Sequence, residues 1–202
     1  MRPKTSEPRG PAEHARRDQI IAAANDHFRQ YGYDKTTVGD LAKAVGFSTA
    51  YIYKFFESKQ AIGDAVCSIC LQRIAADFQA IADFEASPSE RLQQIFLMLS
   101  RHARELSLRE SRLQEMVLAA HRAPWRCFEN HETALRAVIM RVVEAGRRSG
   151  EFERKTPIDE TCRSILLVME PFWNPTLWVQ KLDQLDEQAA SLAALVLRSM
   201  AP

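Results

Sequence analysis

The sequence predicts an all-α fold, and three observations carry the prediction. Apolar residues recur at helical spacing along almost the whole chain. Ser/Thr-Pro pairs and glycines punctuate them where helices would start and stop. No run alternates with the period of two that a half-buried strand requires.

Taken in order, Ile20, Ala24, Phe28 and Tyr31 form the first stripe, and Gly32 follows as a C-terminal stop. Two short helices fit between Thr36 and Phe56. After Ser58 a further helix would bury Ile62, Ala65, Val66 and Ile69 on its inner side. Ser87-Pro88-Ser89-Glu90 offers an N-cap, a first-turn proline and a capping-box acid. Behind it Leu92, Ile95, Phe96, Leu99, Ala103 and Leu106 make one continuous apolar face. Leu113, Met116, Val117 and Ala120 mark another helix, stopped near Pro124. Leu135, Val138, Ile139, Val142 and Val143 continue the pattern up to Gly146 and Gly150. Thr156-Pro157-Ile158-Asp159 repeats the cap-and-proline start ahead of Ile165, Leu166 and Met169. Pro171 and Pro175 would end that helix, and Leu185, Ala189, Leu192 and Val196 form the last one.

Composition narrows the classes. The chain has 202 residues, 46% apolar and 26% charged, with only 7 Gly and 9 Pro, which excludes collagen-like, low-complexity and wholly disordered proteins. No stretch approaches the ~18 uncharged apolar residues of a membrane span, so no membrane association is expected. Met1 to Arg17 is polar and basic, unlike a secretory signal, and four cysteines without such a signal suggest reduced thiols in a cytoplasmic protein. Net charge is only +1, but residues 1–59 hold ten Lys/Arg against seven Asp/Glu, and the remainder seventeen against nineteen. The asymmetry fits a polyanion-facing N-terminal part; a merely solvated tail fits it too. All four tyrosines (Tyr31, Tyr33, Tyr51, Tyr53) fall in that part, whereas all tryptophans, all cysteines and every methionine but Met1 lie after residue 60.

The informative segment runs from Thr36 to Phe56. Thr37 and Asp40 have capping-box spacing, Leu41, Ala42 and Val45 give an apolar face, and Gly46 suits a tight turn. Ser48 is a natural N-cap for a second short helix that buries Ile52 and Phe56. Two short helices joined by a glycine turn form a helix-turn-helix, whose second helix can enter a DNA major groove. Its outer face would carry Thr49, Ala50, Tyr51, Tyr53 and Lys54, and no acid lies between Ser48 and Phe56. Any helix pair with an intervening glycine can produce the same bare pattern.

The run from Arg17 to about Val66 resembles the DNA-binding domain of the TetR family of transcriptional repressors. The resemblance rests on Ile20-Ile21, Ala23-Ala24, Phe28, Gly32-Tyr33, Thr36-Thr37-Val38, Asp40-Leu41-Ala42, Ala44-Val45-Gly46-Phe47-Ser48, Tyr53-Lys54-Phe55-Phe56 and Ser58-Lys59, at unbroken spacing. It implies an N-terminal three-helix helix-turn-helix domain for double-stranded operator DNA and a C-terminal helical bundle for effector binding and homodimerisation. The expected divisions are a flexible basic tail over 1–12, the DNA-binding domain over 13–73 and the effector and dimer domain over 74–202. Carried over by position, Tyr53 and Lys59 match backbone-phosphate contacts, Thr37 a phosphate contact at the second helix start, and Ser48, Thr49, Ala50 and Tyr51 the base-edge positions. Lys54 joins them as a cation on the same face. The sequence departs from the family pattern at Gly39, where a long side chain is common, at Ala50, where glycine is common, and at Tyr51, where a small hydroxyl residue is common. The operator is therefore left open.

A ligand-released repressor needs an apolar, adaptable pocket. Phe96, His102, Met116, His121, Trp125, Phe128, Met140, Met169, Phe172 and Trp173 are the candidates, and as a set they favour a small apolar or aromatic effector; each one alone also reads as core packing. The last two helices would pair the subunits. Cys67-x-x-Cys70 has no second pair nearby, Cys127 and Cys162 read as packing, and His102, His121 and His131 form no metal pattern, so no metal, cofactor or enzymatic site is expected. Arg2, Lys4 and Arg9 would form a disordered tail or a minor-groove arm. A helical ligand-binding or adaptor protein without DNA binding is the competing function, and it would require a disrupted Ser48–Lys59 surface.

Overall fold

The computed structural model describes residues 10–109, 111–122, 125–174 and 182–202, and among them all regular structure is helical. In chain order the α-helices are α1 (Pro11–Tyr31), α2 (Val38–Val45), α3 (Thr49–Ile52), α4 (Lys59–Asp83), α5 (Pro88–Arg109), α6 (Ser111–Arg122), α7 (Arg126–Ser149), α8 (Ile158–Met169) and α9 (Leu185–Ser199). Short 3-10 turns at Glu170–Phe172 and Leu182–Gln184 flank residues 175–181. The tail cations Arg2, Lys4 and Arg9, the stop residues Pro124 and Pro175, and Trp178 lie outside the described residues.

Two hydrophobic clusters organise these helices. One joins α1, α2, α3 and the first half of α4, through Ile20, Phe28, Leu41, Ile52, Phe56, Ile62 and Val66. Leu113, Met116 and Ala120 of α6, with Trp125 and Cys127 where α7 begins, complete it. The other joins the end of α4 (Phe78, Ala82) to α5, α7, α8 and α9. α4 thus runs unbroken from one cluster into the other.

That double burial explains a feature the composition did not anticipate. α4 is, among the described residues, one helix long and apolar enough by length and composition to cross a membrane. Its buried residues are instead shared between two protein interiors, Ile62, Ala65, Val66 and Cys67 in one and Phe78 and Ala82 in the other, with Asp64, Arg73 and Asp77 spaced along it.

Local signals set most helix ends. At α5 the Ser87 backbone N–H donates to Glu90 Oε2 at 2.9 Å, and the Glu90 N–H donates to Ser87 Oγ at 3.2 Å, the reciprocal pair its sequence predicts. Elsewhere packing overrode the reading. Gly146 does not stop α7, which continues to Ser149 and ends at Gly150 with φ of 83°. Gly146 instead makes room for Phe152: a Cβ there would lie 2.1 Å from its ring. At α8 Pro157 is the residue before the helix, with no side-chain cap from Thr156. Ile69, expected inside α4, is 54% exposed, and Tyr31 stands half out of α1 beside His27.

Candidate nucleic-acid interface and cavity

The helix-turn-helix is assembled by its own polar side chains. Thr37 Oγ1 accepts the Asp40 N–H at 3.1 Å, and Asp40 Oδ2 accepts the Thr37 N–H at 2.9 Å and the Thr37 hydroxyl at 2.6 Å. Those bonds from Thr37 hold the Asp40 carboxyl below its usual range, so the one acid on this helix is committed to its cap. Gly46 takes the left-handed conformation at φ 72°, turning the chain into α3. There Ser48 Oγ accepts the Tyr51 N–H at 3.1 Å, and Ile52 is fully buried.

This folding leaves Thr37, Ser48, Thr49, Ala50, Tyr53 and Lys54 exposed, with Tyr53 half accessible. Tyr51 behaves differently. Its ring is half-buried between Phe47 and Phe55, at centroid distances of 5.0 and 5.3 Å, with Lys54 Nζ 5.3 Å and the Arg16 guanidinium 5.7 Å away. Arg16 and, over the Phe56 ring at 4.9 Å, Arg17 bring two more cations to this side of the domain. Neither was among the candidate site residues. Their charge was legible, but their placement depends on how α1 packs against the helix-turn-helix.

Lys59, at the start of α4, lies 4.4 Å above the Tyr33 ring and donates to the Asp34 carbonyl at 3.3 Å. Burial pulls its pKa down, partly offset by Asp34. Tyr33 in turn meets Phe28 edge-on at 5.2 Å and Trp125 at 5.4 Å.

Trp125 is 4% exposed and also lines a cavity of about 770 Å³ that opens to the surface. The cavity lies among Cys67, Cys70, Leu71, Ile74 and Asp77 of α4, Leu99, His102 and Leu106 of α5, Leu113, Met116 and Val117 of α6, and Phe128, His131, Glu132 and Leu135 of α7, with Phe172 and Trp173 also on its wall. Of the effector candidates, His102, Met116, Trp125, Phe128, Phe172 and Trp173 reach this wall. Phe96 and Met169 do not: both are fully buried in the larger cluster, Phe96 edge-on to Phe172 at 6.3 Å. Met140 packs on the flank of the same cluster. The His121 side chain is outside the described residues.

The wall also contains residues that sequence reasoning passed over. His131 presents a buried imidazole, and Cys70, Leu71 and Ile74 supply much of the α4 side. His102 Nε2 lies 3.1 Å from Asp77 Oδ2, joining α5 to α4 across the space. Next to the cavity, the Cys67 thiol hydrogen-bonds that of Cys127, and this contact, with burial, pushes the Cys67 pKa far up. The Cys127 N–H donates to Asp64 at 2.9 Å, fastening the start of α7 to α4. Among the described residues no group of three or more His, Cys, Asp or Glu could hold a metal ion.

Comparison with known proteins places these two regions side by side with two family models. Residues 20–66 match the model described as bacterial regulatory proteins, tetR family, and residues 88–196 match a tetracyclin repressor-like C-terminal domain. The HTH-type transcriptional repressor KstR2 of Mycobacterium tuberculosis is 24% identical over 168 residues, covering 81% of each chain. A second repressor of that organism, Rv1474c, is 42% identical over 62 residues, covering 31% of this chain and 33% of its own. Among solved structures, a TetR-family transcriptional regulator from Pectobacterium atrosepticum superposes with a TM-score of 0.74 at 20% identity, over 96% of this chain and 98% of that one. At that identity the likeness is one of fold.

Proposed function

The chain belongs to the tetR family of bacterial regulatory proteins, DNA-binding transcriptional repressors, and from this we propose that it acts as a homodimer on a palindromic operator and is released by a small apolar or aromatic effector. The exposed residues Thr37, Ser48, Thr49, Ala50, Tyr53 and Lys54, with the half-buried Tyr51 and Lys59, are its DNA contacts in this reading. Arg16 and Arg17 add phosphate-facing charge from α1. The competing reading, a helical protein without DNA binding, requires a disrupted Ser48–Lys59 surface, whereas Ser48, Thr49, Ala50, Tyr53 and Lys54 form one solvent-exposed face.

The observation that carries ligand release is the double duty of Trp125. Its ring lines the cavity and also meets Tyr33, which lies under Lys59. A ligand that favours a displaced Trp125 or α4 lowers DNA affinity by its preference for that conformation, typically ~1–3 kcal/mol. Pairing through α8 and α9 is supported by Leu167 and Leu195, which are 63% and 53% exposed on their outer faces. Two-fold pairing presents two α3 helices to half-sites ~34–36 Å apart, or a multiple of that spacing.

The test is to incubate the purified chain with sheared genomic DNA and sequence the retained fragments. An inverted repeat with half-site centres a whole number of helical turns apart is the expected result. Retention of fragments sharing only a single unrepeated site would remove the dimer and the palindrome, and no enrichment at all would remove operator binding.

A further inference from the structure

Trp125 lines a second groove besides the cavity, of about 650 Å³ and with a mainly polar wall. Tyr53 and Lys54, just after α3, border this groove together with Arg17 of α1 and Arg126, the first residue of α7. A cation from the C-terminal part of the chain is thereby brought beside two residues of the helix-turn-helix surface. The backbone at Arg126 is pinned to α4 on both sides. Before it, the Trp125 ring lies so close to Gly63 that a Cβ there would be 2.6 Å from Cη2. After it, the Cys127 N–H donates to Asp64 Oδ1 at 2.9 Å.

Arg126 itself is exposed, and its guanidinium has no ion-pair or hydrogen-bond partner among the described residues. A guanidinium on a fixed backbone suits a phosphate, whose oxygens it can meet bidentately with little left to order in the main chain. The groove's charge also favours an anion. Arg17, Lys54 and Arg126 stand against two carboxylates, and that of Asp64 already accepts the Cys127 N–H, which leaves Glu57.

We propose that Arg126 holds a backbone phosphate of the operator, so that the DNA interface extends from the helix-turn-helix onto the start of α7. The proposal rests on the reading of Tyr53 and Lys54 as DNA contacts. Such a contact adds affinity and fixes the orientation of the duplex without reading bases. It also sets a phosphate contact next in sequence to Trp125, so a ligand that displaces this ring in the cavity shifts the neighbouring guanidinium. The effector cavity and the operator are then one residue apart.

The experiment measures binding of the full chain to a retained genomic fragment, and to base-substituted copies of it, across a salt series. Arg126→Gln should lower the slope of log affinity against log salt by about two per dimer, one for each subunit, and weaken every copy alike. Arg126→Lys keeps the charge and should keep the slope. Arg148→Gln removes the same charge from the exposed far end of α7, about 33 Å along the helix, and should leave the slope unchanged. Circular dichroism checks folding, and Arg126→Met replaces the glutamine variant if that one does not fold. A slope in Arg126→Gln equal to that of the unsubstituted chain overturns the contact and leaves the helix-turn-helix reading standing. Equal flattening in Arg126→Gln and Arg148→Gln overturns it as well, because net charge would then account for both. No salt-sensitive DNA binding by the unsubstituted chain overturns the contact together with the DNA-binding reading.

Discussion

Tyr51 and Lys59 illustrate how two side chains on one surface can have separable duties. Tyr51 is braced by Phe47 and Phe55, so, as the proposed base-edge contact, its ring has little freedom left to lose. Lys59 is held over Tyr33 and by the Asp34 carbonyl, and as the proposed phosphate contact its charge would add to affinity without reading sequence. If the dimer neutralises ~6–10 phosphates, affinity should fall ~10³–10⁵-fold between 50 and 200 mM salt. Lys59→Ala should weaken all DNA sequences alike and flatten that salt slope by about one unit per lost contact. Tyr51→Ala should instead change which base is preferred at its position and keep the slope. Fluorescence anisotropy across a salt series, on the operator and on base-substituted copies, separates the two; exchanged phenotypes would reverse the assignments.

At the scale of the element, α2 depends on a cap whose atoms also face solvent. Thr37→Ala removes both the acceptor for the Asp40 N–H and the hydroxyl donor to Asp40 Oδ2, and should cost about 1 kcal/mol of stability. Thr37→Ser should restore stability and operator affinity together. Chemical denaturation alongside operator binding provides the check, and an alanine variant that loses affinity at unchanged stability would make the hydroxyl a DNA contact rather than a cap. This cap was legible in the sequence because its signal is local: two residues three apart settle it, as Ser87 and Glu90 do for α5. What depended on distant packing was not legible. Gly146 reads as a stop until Phe152 is seen to occupy the space of its missing side chain. Phe96 and Met116 have the same apolar periodicity, yet Phe96 is sealed in the larger cluster and Met116 borders the cavity. His131 reads in the sequence only as a rejected metal ligand, since its place in the cavity wall depends on how α7 packs against α4.

Across the whole molecule, the path between the cavity and the DNA-facing surface narrows at Gly63. A Cβ at that position would lie 2.6 Å from Trp125 Cη2 and 2.9 Å from Tyr33 Cε2, closer than either ring tolerates. The missing side chain lets α4 approach both rings, and so lets one tryptophan face the cavity and the helix-turn-helix at once. Gly63→Ala must push Trp125 or Tyr33 aside, as the released conformation is expected to do. It should therefore lower operator affinity ~5–150-fold with no ligand present, the span of a typical coupling free energy. Gly146→Ala is the matched comparison, because it crowds Phe152 by an even larger overlap in the other cluster, away from Trp125. That variant should lose ~1–3 kcal/mol of stability while its folded fraction binds the operator normally. Measured on the folded fraction of each, equal operator affinity for Gly63→Ala and Gly146→Ala would show that contact between Trp125 and Tyr33 does not transmit the switch. A selective loss in Gly63→Ala would place the switch at that contact.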